Sequence, residues 1–124
     1  MTATPQSISL ARIAAEAAFD KLATSVAVID VSERLILTDI FVIASGETSR
    51  QVRAIVDGVD EALDQAGCAR VRREGYEGEL NWVLVDYGDI IVHVLQDEDR
   101  EYYALEKLWG DCPTIDVSDL EGDR

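Results

Sequence analysis

The chain has 124 residues, of which 48% are hydrophobic, and a formal net charge of −14 at pH 7 from 11 Lys and Arg against 25 Asp and Glu. This length supports one domain with a single substantial core. The charge repels nucleic acid phosphates and anionic membranes at long range, so we expect no direct nucleic acid or membrane binding and predict a basic partner.

The cysteine and histidine content argues against disulfide and zinc chemistry. Cys68 and Cys112 are too few for a disulfide framework, and neither has a CxxC partner. His93 is the only imidazole, so a zinc site is not expected. The chain shows no apolar run of membrane-spanning length and no leader pattern, which predicts a cytoplasmic protein.

Apolar periodicity predicts four elements in the first half of the chain. In order, they are a helix from a Ser7 cap to about Ala23, strands over residues 26–31 and 38–44, and a helix from Thr48 or Ser49 to about Ala66 with Gly67 as its C-cap. In the second half we predict a short basic edge strand from Cys68 to Arg73, a two-stranded hairpin within Asn81–Leu95, and a last helix from about Glu98 to Trp109.

The element order α-β-β-α-β-β-β-α predicts an α/β (α+β) fold with a single mixed β-sheet packed by helices. The second strand and second helix begin a βαβ candidate, for which a right-handed crossover is expected. Pro113 ends any helix and the residues after it are mostly acidic or polar. We therefore predict one domain over residues 1–112 and a flexible acidic tail over residues 113–124.

The predicted hairpin has two faces of different character. A turn at Tyr87-Gly88 would place Asp86 opposite Asp89 and Trp82 opposite His93. One face then carries five aliphatic side chains, which are Val83, Val85, Ile90, Val92 and Val94, and is a core face. The other face carries Trp82, Leu84, Asp86, Asp89, Ile91 and His93. This second face is either a second buried layer or a docking surface.

No motif in the chain predicts catalysis. The Ser45-Gly46 turn before the second helix offers only a weak anion-binding pattern, without a glycine-rich phosphate loop. Asp86 and Asp89 could form a paired-carboxylate metal site, but two acids beside Gly88 are more often turn residues. We predict no catalytic residue, no metal ligand set and no cofactor.

Aromatic residues are concentrated towards the C-terminus, among many acids, which is typical of a protein-binding surface. Tyr103 and Leu108 are predicted to lie in the core beneath the last helix. For Trp82, Tyr102 and Trp109, composition alone leaves core and interface equally open.

Several segments, in order and without large gaps between Ser7 and Asp111, resemble the ribosomal silencing factor (RsfS or Iojap) family. They are Asp39-Ile-Phe-Val-Ile-Ala-Ser-Gly46, Ser49-Arg-Gln-Val-Arg-Ala-Ile55, Glu74-Gly75, Trp82-Val-Leu-Val-Asp-Tyr-Gly-Asp-Ile-Ile-Val-His-Val94 and Arg100-Glu-Tyr-Tyr-Ala-Leu-Glu-Lys-Leu-Trp109. The resemblance implies a nucleotidyltransferase-like mixed sheet without an active site.

The resemblance also implies a factor that binds the large ribosomal subunit through its ribosomal protein fourteen (uL14). There it would block joining of the small subunit and lower translation under nutrient limitation. From the matched motifs and the face geometry, we expect partner contacts from Trp82, Asp86, Tyr87, Asp89, His93, Arg100, Tyr102, Leu105 and Trp109. Arg100 has a second possible role in ordering the last helix.

Two other interpretations remain open at this point. The chain could be a small phosphoryl-transfer enzyme that uses Asp86 and Asp89 with magnesium. It could also be an unrelated acidic adaptor or obligate dimer whose aromatic face is its own interface. Self-association as a homodimer away from the ribosome is compatible with the silencing-factor interpretation as well.

Overall fold

A computed structural model describes residues 3–121. Its elements, in chain order, are α1 (Pro5–Asp20), β1 (Ser25–Asp30), β2 (Ile40–Gly46), α2 (Ser49–Gln65), β3 (Arg72–Glu74), β4 (Trp82–Asp86), β5 (Ile90–Gln96), α3 (Asp97–Tyr103), α4 (Leu105–Leu108) and α5 (Ser118–Glu121). The five strands form one sheet in the order β1-β2-β5-β4-β3, with β2 and β5 parallel and the other neighbours antiparallel. The predicted single mixed sheet packed by helices is therefore confirmed.

The N-terminal ends of the two long helices are set by threonine caps. The Thr48 side chain accepts a hydrogen bond from the Gln51 amide at the start of α2, as one of the two predicted caps would. The prediction of Ser7 as the first cap is wrong. Thr4 caps α1 because Pro5 follows it, and proline is pre-organised for the first helical position. Ser7 lies within α1 and donates its hydroxyl to Asp39.

One face of the sheet packs against α1 and α2 and forms the main core. The hairpin contributes the five predicted aliphatic side chains to this core, namely Val83, Val85, Ile90, Val92 and Val94. The stripe of α2 that covers them consists of Val52, Ile55, Val56, Val59 and Leu63. Each such side chain contributes about 1.5–3 kcal/mol when it is transferred from water to the interior.

The hairpin turn lies one residue further along than predicted. Tyr87 donates its amide to the Ile90 carbonyl, so Gly88 and Asp89 form the turn. As a result Trp82 pairs with Leu95 and Asp86 pairs with Ile91. The Tyr87 ring explains the shift. It is buried and its hydroxyl donates to Asp60 on α2, which keeps Tyr87 in the extended ladder.

The predicted last helix is divided in two at Ala104, which has a left-handed backbone conformation with φ of 49°. A straight helix would place Tyr102, Leu105 and Trp109 on one stripe. The break instead leaves Tyr102 exposed on α3 while Leu105 is buried against the second face of the sheet.

The segment after Pro113 differs from the predicted flexible tail. The Ile115 amide donates to the Val28 carbonyl, and Thr114 forms an isolated β-bridge with Ile29 of β1. Val117 is buried in the main core and α5 packs against α1. The described part of this segment is therefore bound to the domain, because its apolar residues alternate with the acids. Residues 122–124 of the predicted tail lie outside the described residues.

Candidate partner-binding surface

The second face of the sheet is divided between a buried layer and an open surface. Over β1, β2 and β5 it forms a small core of six buried residues, which are Ile29, Val31, Phe41, Ile43, Leu95 and Leu105. Trp109 packs edge-on against Phe41, with ring centroids 5.2 Å apart. Over β4, in contrast, Trp82 and Leu84 are only half-buried. The predicted second buried layer is therefore present over β1, β2 and β5, whereas the part of the face over β4 stays a candidate docking surface.

Three aromatic side chains, Trp82, Tyr103 and Tyr102, form a continuous row at the open end, which we call the aromatic row. The Trp82 and Tyr103 ring centroids are 4.8 Å apart, and those of Tyr103 and Tyr102 are 5.1 Å apart. Tyr102 is 81% exposed and Tyr103 is 49% exposed. The prediction that Tyr103 and Leu108 lie in the core is wrong, since both are exposed. The sequence did indicate that one of the two tyrosines would be exposed, because adjacent residues of a helix cannot both face inwards from one stripe.

His93 supports the aromatic row from below. The indole Nε1 of Trp82 donates to His93 Nδ1 at 3.1 Å, so the imidazole proton of the neutral ring resides on Nε2. His93 is 5% exposed, and burial lowers its pKa to about 4. The imidazole holds the indole of Trp82 in one orientation and is too deeply buried to contact a partner directly, so His93 is corrected from a partner contact to a supporting residue.

Arg100 fixes the position of α3. Its guanidinium donates to the Ser25 carbonyl at 3.0 Å and to the Ser45 hydroxyl at 3.2 Å. It also pairs with Glu106 at 3.0 Å, and only 11% of its side chain is exposed. Charge-assisted bonds of this kind are roughly twice as strong as neutral ones. Of its two predicted roles, the structure supports the ordering of the last helix.

Two other predicted contact residues are buried within the chain. Tyr87 lies on the main-core face, 4% exposed, and burial together with its hydrogen bond to Asp60 raises its pKa. Leu105 lies under α4 in the second-face core. Neither side chain reaches the surface, so both are corrected from partner contacts to core residues.

The remaining predicted contacts lie around the hairpin turn and beside the small core. Asp86 accepts a hydrogen bond from the Gly88 amide at 2.8 Å and pairs with Arg72, which is turn chemistry. Asp89 is exposed. Trp109 is half-buried, with the Arg34 guanidinium 4.9 Å from its ring centroid. The structure thus brings Trp82, Tyr102 and His93 together and places Asp86 and Asp89 at the far end of β4.

The aromatic row lies beside an acidic helix. Four of the seven residues of α3 are acids, which are Asp97, Glu98, Asp99 and Glu101. Exposed rings next to carboxylates are the pattern that anchor-and-rim protein interfaces show. Between residues 3 and 121, no group of three or more His, Cys, Asp or Glu side chains is placed to hold a metal ion. No helix in that range is long and apolar enough to cross a membrane.

Comparisons with known proteins identify the family of the chain. The family model described as ribosomal silencing factor during starvation (RsfS) matches residues 4–124, which extends the resemblance through the segment after Pro113. The chain is 40% identical over 109 residues to the ribosomal silencing factor of Bacillus subtilis, covering 88% of this chain and 92% of that protein. It is 36% identical over 90 residues to the mouse protein named mitochondrial assembly of ribosomal large subunit protein 1, covering 39% of that protein.

A solved structure gives the same result for the fold. The crystal structure of a Chromobacterium violaceum protein superposes with a TM-score of 0.79 at 37% identity, covering 82% of this chain and 84% of that chain. The names of the curated relatives describe a regulatory role rather than an enzymatic one. With a family model spanning nearly all of its length and close relatives of similar size, the chain belongs to the ribosomal silencing factor family.

Proposed function

We propose that this protein binds the large ribosomal subunit through ribosomal protein fourteen (uL14) and sterically blocks joining of the small subunit, repressing translation under nutrient limitation. The observation that carries the proposal is the exposed aromatic row beside the acidic helix α3. Family membership supplies the ribosome as the place of action. The net charge of −14 favours a basic ribosomal protein as the contact and disfavours the surrounding RNA.

The revised contact set is smaller than the one expected from sequence. Trp82, Tyr102 and Tyr103 are the apolar anchors, and Glu98 and Asp99 supply charge at the rim. Asp86, Asp89 and Trp109 remain candidate contacts at the margins of the same face. An interface of ordinary size, about 800 Å² per partner, would cover the row and the exposed side of α3.

Co-sedimentation with isolated large subunits tests the proposal. We expect the wild-type chain to bind, and Tyr102→Ala combined with Tyr103→Ala to weaken binding by about tenfold or more, because central aromatic anchors dominate interface energies. Tyr102 is 81% exposed, Tyr103 is 49% exposed, and neither belongs to a core cluster, so we expect the fold to remain intact and the thermal unfolding midpoint to change little. The same double variant should fail to inhibit the joining of the two ribosomal subunits. Light scattering measures this joining, because the joined particle scatters more than the separate subunits.

Leu22→Ala is the matched control, since Leu22 is an exposed apolar side chain (67%) that follows α1 and lies outside the aromatic row. It should bind as the wild type does. A second binding experiment uses purified uL14 in place of the large subunit. It tests directly whether uL14 is the protein that the chain contacts. Absence of wild-type co-sedimentation at low salt would refute ribosome docking, and binding to large subunits but not to uL14 would refute the choice of partner protein.

A further inference from the structure

The aromatic row differs from the other partly exposed aromatic residues of this protein in one respect. Trp109 carries the guanidinium of Arg34 over its ring. Tyr76 carries two, with Arg53 and Arg73 at 4.6 Å and 3.5 Å from its ring centroid. Within residues 3–121, no cation lies over Trp82, Tyr103 or Tyr102. The chain thus supplies arginines to its other half-buried rings and leaves this row vacant.

Two carboxylates of α3 each lie one helical turn before a tyrosine of the aromatic row. Glu98 lies four residues before Tyr102, and Asp99 lies four residues before Tyr103, so each pair shares one side of α3. Neither Glu98 nor Asp99 has an ion-pair partner among the described residues. An electron-rich ring with a free carboxylate one turn away attracts a cation to the ring face and gives its N–H groups an acceptor.

The chemistry of the row favours arginine over lysine as the group it receives. A guanidinium is planar, stacks on aromatic faces and is weakly hydrated, and it can still donate in its own plane to a neighbouring carboxylate. Lysine provides a compact and strongly hydrated charge, which loses more hydration on an open surface. The three arginine–aromatic pairs among residues 3–121 show that rings of this protein accept guanidinium groups at 3.5–4.9 Å.

We propose that the aromatic row is a receptor for an arginine side chain of the basic protein partner. The guanidinium stacks on Tyr102 or Tyr103 and donates to Glu98 or Asp99. This inference rests on the proposed docking function and names the group that the docking surface recognises. On this proposal, the affinity for the partner comes from the electron density of the rings and from the adjacent carboxylates, and not from buried apolar area alone.

Leucine substitutions separate these two contributions. Tyr102→Leu and Tyr103→Leu retain apolar bulk but remove the ring face, whereas the alanine variants remove both. We expect each leucine variant to bind large subunits about three- to tenfold more weakly than the wild type, in line with the strength of cation–π contacts at partly exposed positions. If both leucine variants bind as the wild type does while the alanine variants do not, the arginine receptor is refuted and the docking function stands.

A graded replacement of Tyr102 provides the sharper measurement. Phenylalanine and its successively fluorinated analogues keep the shape of the ring while reducing the negative potential of its face. Binding to large subunits should weaken stepwise with the number of fluorine atoms, and a flat series would refute the proposal. Failure of wild-type binding is a separate outcome, because it refutes the docking function itself.

The carboxylates are tested by Glu98→Gln and Asp99→Asn, which remove charge and keep size. We expect the double variant to bind about tenfold more weakly. Glu61→Gln, on the exposed side of α2, removes one negative charge from the chain without changing the row and should bind within about twofold of the wild type. Equal weakening by Glu61→Gln would assign the effect to overall charge and overturn the local assignment.

Discussion

The hydrogen bond from Trp82 to His93 links a buried residue to the exposed surface. His93 accepts through Nδ1, and its Nε2 is buried without a partner in the described part of the chain. An unpartnered buried donor costs about 1–3 kcal/mol. That cost is consistent with a residue retained to hold the indole in one orientation. At the scale of single residues, the orientation of the half-buried Trp82 ring thus depends on the buried His93 beneath it.

Protonation of His93 should reduce stability in mildly acidic solution. Burial lowers its folded-state pKa from 6.5 to about 4, so the unfolded chain binds more protons between these values. The contribution of neutral His93 to the free energy of unfolding should therefore be fully present above about pH 6.5. The free energy of unfolding should then fall as the pH decreases towards 4, by up to about 3 kcal/mol. Urea unfolding of the wild type and of His93→Asn as a function of pH measures the difference.

His93→Asn retains an acceptor for Trp82 and cannot titrate. Because His93 is the only histidine, the variant should show a weaker pH dependence than the wild type in this window. Parallel curves for the two proteins would show that His93 does not titrate as its burial implies.

At the scale of elements, the break at Ala104 decides which aromatic side chains face the solvent. An uninterrupted helix would carry Tyr102 and Trp109 on a single stripe, and both would compete for the same part of the sheet. The left-handed residue redirects the chain, so that α4 covers Phe41 and Ile43 and α3 projects the two tyrosines. The bonds of Arg100 to Ser25, Ser45 and Glu106 then hold α3 in place.

Substitution of Ala104 tests the strain in this break. A left-handed conformation costs an L-amino acid about 1–2 kcal/mol, and glycine avoids this cost but loses more backbone entropy on folding. We expect Ala104→Gly to raise the free energy of unfolding by up to about 1 kcal/mol and Ala104→Val to lower it. The midpoints of urea unfolding check both signs. A destabilising glycine would indicate that the left-handed residue is not strained.

Features of the fold that depend on interactions between residues close in sequence could be predicted, and features that depend on distant residues could not. The two faces of the hairpin followed from period-2 alternation, which survives a one-residue displacement of the turn because strand partners then shift by two. The displacement itself depends on Tyr87 reaching Asp60 on a distant helix. The break at Ala104 could not be predicted, because no glycine or proline occurs near it in the sequence. The pairing of Thr114 with β1 is equally non-local, and an acidic composition concealed it.

At the scale of the whole molecule, charge and shape act together. The net charge of −14 extends well beyond the contact surface and attracts basic proteins from a distance, whereas the aromatic row acts only after contact. Long-range attraction mainly changes the association rate, and close packing mainly changes the dissociation rate. The two contributions can therefore be measured separately.

Salt should act on one rate and the aromatic row on the other. For binding to purified uL14, we expect the association rate to fall about tenfold or more between about 0.05 M and about 0.5 M NaCl, with little change in dissociation. Tyr102→Ala should show the reverse pattern, with faster dissociation and nearly unchanged association. Surface plasmon resonance measures both rates. Association that is independent of salt would contradict electrostatic steering towards this partner.

The pairing of residues 113–115 with β1 has a consequence for the behaviour of the protein in concentrated solution. An open sheet presents unpaired amide and carbonyl groups along its outermost strands, which invite other chains to add on and aggregate. Here Pro113 and Ile115 occupy hydrogen-bonding positions beside β1. At the opposite margin β3 is only three residues long and carries Arg72 and Arg73. Both margins of the sheet are thereby protected, and the protein can display exposed aromatic rings without becoming a template for strand addition.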